Sequence, residues 1–163
     1  MKISDVITKM IEYYQGDARR IQHFMKVYAY ARAIGEQEGL EPGQQELLEI
    51  AAVTHDIGIK KSEDKYQSSA GKFQEIEGPE EAGKLLEQFD LSQETADRVC
   101  YLIGHHHTYN SIDGMDYQIL VEADFLVNLE EGKSGRDAVE RAKDQIFKTK
   151  TGIHYLEMLF YES

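Results

Sequence analysis

Apolar residues recur every three or four positions along most of the chain, which is the period of an α-helix. The clearest stripe lies within residues 20–34, and its inward-facing positions are Ile21, Phe24, Val27, Tyr28, Ala31 and Ile34. No segment alternates between apolar and polar residues for long enough to predict a β-strand. The pattern therefore predicts an all-α fold in the form of a single compact helical bundle.

Glycine and polar cap residues mark several boundaries of the predicted helices. Gly16 is placed to end the first helix, and Asp17 is placed to cap a long second helix. A chain of 163 residues can bury about two thirds of its unfolded surface in one core. We therefore predict a single domain over residues 1–163, with a core of about 18–130 and closing C-terminal helices over about 136–161.

A His-Asp doublet, His55-Asp56, closes an apolar helical run and is followed closely by Gly58. A glycine at this place is typical of a helix C-cap with a positive φ angle. The unpaired carbonyl groups at a helix C-terminus favour a bound cation, and imidazole and carboxylate ligands suit a divalent metal. On its own, such a doublet is more often a surface histidine before a helix-ending aspartate.

Two further candidate ligands lie on or beside predicted buried faces. His23 lies at the edge of the stripe in the second helix, where a core histidine with ordinary partners is the alternative. Asp124 has apolar residues one turn before it and one turn after it. Burying an unpaired carboxylate costs several kcal/mol, so Asp124 needs a cation or strong donors. With the doublet, His23 and Asp124 would supply two nitrogen and two oxygen ligands to one ion.

The order of these residues resembles the HD-domain superfamily of metal-dependent phosphohydrolases. The resemblance covers roughly residues 18–130, and its most specific segments are Arg20–Val27, His55–Gly58 and Glu122–Asp124. It implies an all-helical fold with a metal site between helices, and a divalent ion that is Mn, Co, Mg, Ni, Fe or Zn. The metal-ligand roles that it implies fall on the four residues already singled out: His23, His55, Asp56 and Asp124.

Several nearby side chains are candidates for catalysis or for binding a phosphate. A divalent ion with an open position activates water, and Asp56 is placed to orient or deprotonate that water. Lys60 and Lys61 follow the doublet and are candidates to neutralise developing phosphate charge, with Lys60 as a candidate catalytic residue, although a solvated lysine pair is the alternative. Arg20 is a candidate phosphate ligand one turn before His23, with an ordinary surface arginine as its alternative.

A histidine triplet, His105-His106-His107, ends the predicted fifth helix. Side chains at successive helical positions point about 100° apart, so the three histidines cannot all bind the same ion. His106 matches the place where two-metal members of the resembled family carry a further histidine, and His107 is the rival alignment. Either could bind the substrate or a second ion, and His106 is our candidate to donate a proton to the leaving group.

The number of ions and the activity are further expectations. Two-metal members of the resembled family usually carry another histidine before this triplet, and residues 59–104 contain none. We therefore predict one ion, unless Glu77 or Glu80 compensates. The leading hypothesis is a phosphohydrolase acting on a small phosphomonoester or nucleotide. The alternatives are a di-iron oxygenase of the same fold and a sensor domain that binds a nucleotide or metal without turnover.

The helical period weakens between Gly58 and Gly78, where lysine, serine and acidic residues dominate. This pattern predicts an irregular segment that leaves directly from the doublet. We interpret it as a lid over an anionic substrate, with a mobile surface loop as the alternative. Pro79 would then begin the next helix.

The acidic charge of the chain limits the size of a partner more than its chemical type. There are 30 acidic and 18 basic residues, for a formal net charge of −12, which argues against nucleic acid polymers and anionic membranes. A small phosphorylated metabolite needs only a local cationic pocket. Cys100 is the only cysteine, and no segment resembles a signal peptide or membrane span, so we expect a cytoplasmic protein. The sequence leaves open whether it forms a homodimer.

Overall fold

Nine α-helices and no β-strand make up the regular structure of residues 1–162, the part of the chain that this computed structural model describes. The helices are α1 (Ile3–Tyr13), α2 (Ala18–Gln37), α3 (Pro42–Thr54), α4 (Ile59–Tyr66), α5 (Gly71–Leu86), α6 (Gln93–Ile103), α7 (Met115–Glu131), α8 (Arg136–Gln145) and α9 (Lys150–Phe160). The predicted all-α fold is confirmed. Among these helices, none combines the length and apolarity needed to cross a membrane. The predicted domain extends one residue, Ser163, beyond the described part.

Three helices, α2, α3 and α7, form the centre of the molecule. Helix α2 packs against both α3 and α7, and α3 also packs against α6 and α7. Every residue of α7 from Asp116 to Asp124 is buried, including its polar side chains. Polar groups that these three helices direct inward are therefore cut off from water and have to find partners in one another or in a ligand.

The segment predicted to be irregular is helical instead. Helices α4 and α5 cover most of residues 59–78, and only residues 67–70 separate the two helices. The prediction of an irregular segment, with its alternative of a mobile surface loop, is wrong, because α4 buries only Ile59 and Ser62 and its apolar period is too weak to see in the sequence. The interpretation of this segment as a lid stays a prediction. Pro79, predicted to begin a helix, lies inside α5.

Gly58 serves a close approach between helices rather than an unusual backbone angle. Its φ is −76°, so the predicted positive-φ cap is wrong. A Cβ atom added to Gly58 would lie 2.8 Å from the carbonyl oxygen of Gln74 and 2.8 Å from the amide nitrogen of Gly78. The backbone of α5 therefore crosses directly over Gly58, and this contact fixes α5 beside the His-Asp doublet.

Glu122 ties the C-terminal helices to α7. Its buried carboxylate accepts hydrogen bonds from Nε2 of Gln118 at 2.6 Å, from the amides of Lys148 at 2.9 Å and Thr149 at 3.0 Å, and from Oγ1 of Thr149 at 2.6 Å. Four donors satisfy a group that burial would otherwise destabilise. The connection between α8 and α9 is thereby anchored two residues from Asp124.

Candidate metal centre

Four of the predicted ligand side chains converge between α2, α3 and α7. His23 comes from α2, His55 and Asp56 follow the last turn of α3, and Asp124 comes from α7. Each of the four is exposed by 9% or less. We refer to these four residues as the metal cluster.

The ligand atoms of the metal cluster have the spacing of ligands around a single ion. Nε2 of His23 lies 3.1 Å from Oδ2 of Asp56 and 3.2 Å from Oδ1 of Asp124. Nε2 of His55 lies 3.3 Å from Oδ1 of Asp56, from Oδ1 of Asp124 and from Nε2 of His23. Two ligands bound at about 2.0–2.2 Å and roughly 90–110° apart are separated by about 3.0–3.4 Å. The residues present therefore fit a divalent ion.

Hydrogen bonds on the far side of two rings decide which nitrogen faces the metal cluster. Nδ1 of His55 donates to the carbonyl oxygen of Ala52 at 2.7 Å, and Nδ1 of His23 donates to Oε1 of Glu131 at 2.7 Å. In the neutral rings, Nε2 is left with a lone pair that points at the carboxylates. Oδ1 of Asp124 is buried and accepts no hydrogen bond from any residue in 1–162. A cation between these atoms would satisfy all of them.

The carboxylates create a strong local preference for positive charge. Burial alone would lower the pKa of both imidazoles, but Asp124 and Asp56 raise the pKa of His23 to about 11. Burial also lowers the pKa of His55, but Asp56 and, to a smaller extent, Asp124 outweigh this effect and raise it to about 10. Burial disfavours the ionised form of Asp56, yet His55 and the other histidines hold its pKa well below the usual value. Without a metal, the carboxylates therefore favour the protonated form of both imidazoles, so a metal ion and protons compete for the same site.

We expect the metal affinity to increase with pH, because an ion has to displace protons from His23 and His55. Raised folded-state pKa values stabilise the metal-free fold below the unfolded pKa of about 6.5, and this stabilisation is lost as pH rises towards 10 and 11. The dissociation constant should therefore fall by roughly tenfold or more from pH 6 to pH 8. Calorimetric titration in buffers of different ionisation enthalpy measures both the affinity and the protons released. Binding without proton release, and with no pH dependence, would contradict the assignment.

Glu131 is a site residue that the sequence analysis did not identify. It lies two helical turns after Asp124 on the same face of α7, a spacing that could have pointed to it. Its carboxylate orients the ring of His23. Carboxylates that hold a metal-binding histidine in this way contribute about 10–100-fold to metal affinity.

We therefore expect Glu131→Gln to weaken metal binding by about 10–100-fold, because an amide binds the Nδ1–H group of His23 less strongly than a carboxylate. Competition with a chelator of known affinity measures the change. Glu130→Gln is the matched control, since Glu130 is exposed and lies 3.8 Å from Lys26. Equal affinities for the two variants would rule out an orienting role for Glu131.

The histidine triplet lies in the turn after α6, not within a helix as predicted. His105 points away from the metal cluster and stacks on Tyr101, with ring centroids 4.0 Å apart. His107 lines the cavity described below and donates from Nε2 to Oε1 of Gln74 at 2.9 Å. Burial and the neighbouring imidazole of His106 lower the pKa of His107 to about 4, so its ring is neutral at physiological pH.

His106 also faces the metal cluster. Both histidines that were candidates for the site, His106 and His107, therefore lie beside Asp56. Its Nδ1 donates to the carbonyl oxygen of Ile103 at 2.7 Å, and its Nε2 lies 3.7 Å from Oδ1 of Asp56. That Nε2 is buried and has no hydrogen-bond partner among residues 1–162. Ligand atoms of Asp56, His106 and His107 lie within 4.8 Å of one another and form a second group that could hold an ion. A second ion could therefore be bound by these three residues, although residues 59–104 contain no histidine.

A cavity of about 490 Å³ opens onto the metal cluster, and we call it the metal cavity. Two arginines of α2 line it. Arg20, the predicted phosphate ligand, is ion-paired with Asp17 and Glu63. Arg19 is exposed and forms no ion pair with residues 1–162. The structure therefore leaves Arg19, rather than Arg20, free to bind an anion.

Lys60 and Lys61 lie away from the metal cavity. Nζ of Lys60 lies 3.5 Å from the carbonyl oxygen of Tyr13 and 5.3 Å from the centre of its ring. Nζ of Lys61 pairs with Oε1 of Glu81 at 3.3 Å. Neither lysine lines the metal cavity. The structure does not support their predicted contact with a phosphate at the metal, because α4 begins at Ile59 and directs both side chains elsewhere.

Comparisons with known proteins agree with this architecture. The model of the HD domain family matches residues 20–145. The chain is also similar to the crystal structure of a predicted HD superfamily hydrolase from an uncultured Thermotogales bacterium, with a TM-score of 0.65 and 24% sequence identity, covering 96% of this chain and 82% of that one. At this identity the similarity shows the fold alone. The search of curated proteins found no match. Because the family match covers more than half of the sequence, the chain belongs to the HD-domain family.

Proposed function

We propose that the protein is a metal-dependent phosphohydrolase that acts on a small phosphomonoester or nucleotide. The observation that carries this proposal is the spacing of 3.1–3.3 Å between the buried ligand atoms of the metal cluster. The unpaired guanidinium of Arg19 beside the same cavity suits a phosphate group. The net charge of −12 disfavours polymeric polyanions, whereas one small anion needs only this local site.

Each residue has a defined task in the proposed reaction. A divalent ion held by the metal cluster would lower the pKa of water and polarise a phosphoryl oxygen. Asp56 orients the attacking water, and its backbone is fixed because the hydroxyl of Tyr14 donates to its carbonyl oxygen at 2.6 Å. Arg19 binds a non-bridging phosphate oxygen. We assign to His106, whose Nε2 faces Asp56, the transfer of a proton to the leaving group.

Phosphate release from a panel of nucleotides and sugar phosphates tests this proposal. Metal-stripped protein is resupplied separately with Mn²⁺, Co²⁺, Mg²⁺, Ni²⁺, Fe²⁺ or Zn²⁺. We expect turnover that depends on the metal and disappears in Asp56→Ala, while Asp90→Ala, at an exposed site outside the metal cavity, retains it. Metal bound at one ion per chain without phosphate release from any compound would contradict the proposal and favour a sensor.

The second group of ligands supports one further candidate function. Asp56, His106 and His107 could hold a second ion beside the first, as a di-iron oxygenase requires. Metal content after reconstitution distinguishes the candidates. Two irons per chain, with oxygen consumption and no phosphate release, would favour the oxygenase. Phosphate release with one or two ions would support the phosphohydrolase.

A further inference from the structure

We propose that a second cavity, next to the metal cavity, binds the organic group of the substrate, and that this group is uncharged and rich in hydroxyls. This second cavity has a volume of about 600 Å³ and lies between the α1–α2 turn and α4. The sugar of a sugar phosphate or of a nucleotide has the required chemistry. The inference rests on the proposed phosphohydrolase function, because it extends the same site.

The two cavities adjoin along the N-terminal turn of α2. Both are lined by Asp17, Arg19 and Arg20. Tyr14 also lines the second cavity, and its hydroxyl donates to the carbonyl oxygen of Asp56 at 2.6 Å. A phosphate held at the metal cluster and by Arg19 would therefore lie next to the second cavity. An ester group attached to that phosphate can extend past Arg20 into the second cavity.

The volumes of the cavities indicate a ligand larger than inorganic phosphate. The metal cavity and the second cavity have volumes of about 490 and 600 Å³. Sites for small organic molecules typically have volumes of about 300–1,000 Å³. A phosphate group accounts for only part of the metal cavity and for none of the second one. The second cavity is itself large enough for a sugar or a nucleoside.

The balance of charge argues against a second phosphate in the second cavity. Its charged lining residues are Asp17, Arg19, Arg20, Lys60, Glu63 and Asp64. Three of these six are positive and three are negative, so their charges sum to zero at neutral pH. The guanidinium of Arg20 is already paired with Asp17 and Glu63. An uncharged polar group therefore suits this cavity better than an anion does.

The individual side chains favour hydroxyl groups on an apolar frame. The ring of Tyr13 is held in place, because its hydroxyl donates to Oε2 of Glu81 at 3.3 Å and its ring meets that of Tyr14 edge-on at 5.1 Å. The carboxylate of Asp64 forms no ion pair within residues 1–162 and can only accept hydrogen bonds when ionised. Lys60 adds donors beside the Tyr13 ring. A sugar offers C–H groups to the ring and hydroxyls to Asp64 and Lys60.

Binding of non-hydrolysable analogues to the Zn²⁺-loaded protein tests the inference. The probes are phosphonate analogues of ribose 5-phosphate and adenosine 5′-monophosphate, and methylphosphonate is the comparator without an organic group. Backbone amide shifts of Gln15, Gly16 and Asp64 report on the second cavity, and those of Ser69 and Asn128 report on the metal cavity. We expect methylphosphonate to shift only the amides of the metal cavity. The sugar analogues should shift the amides of both cavities.

Substitutions in the second cavity alone provide the quantitative test. Asp64→Asn and Lys60→Met should each weaken the binding of the sugar analogues by about five- to tenfold, the effect of losing one hydrogen bond. The affinity for methylphosphonate should stay within about twofold of the wild-type value. Asp90→Asn and Lys148→Met are matched controls at exposed sites outside both cavities. If the substitutions weaken binding of the ribose and adenosine analogues equally, the sugar is the group recognised. If only the adenosine analogue binds, the ligand recognised is a nucleotide.

The outcomes separate this inference from the proposed function. The analogues cannot be hydrolysed, so their binding is measured whether or not the protein releases phosphate. Sugar analogues that shift only the metal-cavity amides, or that bind Asp64→Asn and Lys60→Met normally, would overturn the inference and leave the phosphohydrolase intact. Failure of methylphosphonate and of both analogues to bind would overturn both.

Discussion

Replacing Asp124 by asparagine is expected to abolish most of the thermal stabilisation that a divalent metal gives to the wild-type protein. Oδ1 of Asp124 is buried and lies 3.2 Å from Nε2 of His23 and 3.3 Å from Nε2 of His55. Asparagine keeps the shape but replaces a charged ligand by a weak one. An ion present at about 100–1,000 times its dissociation constant stabilises a fold by roughly 3–4 kcal/mol. For a domain of this size, that corresponds to about 6–16 °C in Tm.

Scanning calorimetry of the two proteins, with and without added Zn²⁺, measures this effect without any assumption about the substrate. Asp144→Asn is a suitable control, because Asp144 is exposed near the end of α8 and should leave the metal-induced shift unchanged. A full metal-induced shift in Asp124→Asn would show that this carboxylate is not a ligand, and the metal assignment would fail with it.

Gly58→Ala is expected to destabilise the protein by about 1–3 kcal/mol, because the added methyl group has no space. Its new Cβ atom would lie within 2.8–2.9 Å of three backbone atoms of α5, which belong to Gln74 and Gly78. Backbone atoms in a packed helix cannot move aside as a side chain can, so the overlap has to be relieved by separating α4 from α5. The separation would also displace Gln74, which holds His107, so we expect phosphate release to fall.

Gly83→Ala provides the opposite expectation within the same pair of helices. Gly83 lies inside α5, and nothing in residues 1–162 lies within 4 Å of a Cβ atom added there. Alanine should therefore stabilise α5 by about 0.5–1 kcal/mol through helix propensity alone. Urea unfolding of the two variants measures both effects. Equal stability of Gly58→Ala and the wild type would refute the close-approach role of Gly58.

The positions of the metal cluster could be predicted because polar residues on an apolar face leave few alternatives. Asp124 interrupts the most buried helix of the molecule, and His23 borders the apolar stripe of α2. Burial of a carboxylate on such a face requires a partner, and that requirement is visible in the sequence alone. The all-α fold could be predicted for the same reason, because the helical period persists over most of the chain.

Other features depended on angles and contacts that the sequence does not reveal. Arg19 and Arg20 are neighbours in sequence but about 100° apart around α2, so only the structure shows which one is paired with Glu63. Helix α4 was missed because it is almost entirely polar on its outer face. The role of Gly58 was misassigned because a tight crossing and a positive-φ cap both select glycine, and the sequence cannot separate them.

The way in which the histidines are oriented determines how the site tolerates genetic change. His55 and His106 are each held by the main-chain carbonyl of the residue three positions earlier. No point substitution at Ala52 or Ile103 can delete a carbonyl, so the orientation of these two rings is protected from the commonest kind of mutation. His23 has no such protection, because its partner is the side chain of Glu131. Among the contacts that orient these three histidines, only the one to His23 can therefore be lost through a substitution of its partner, Glu131.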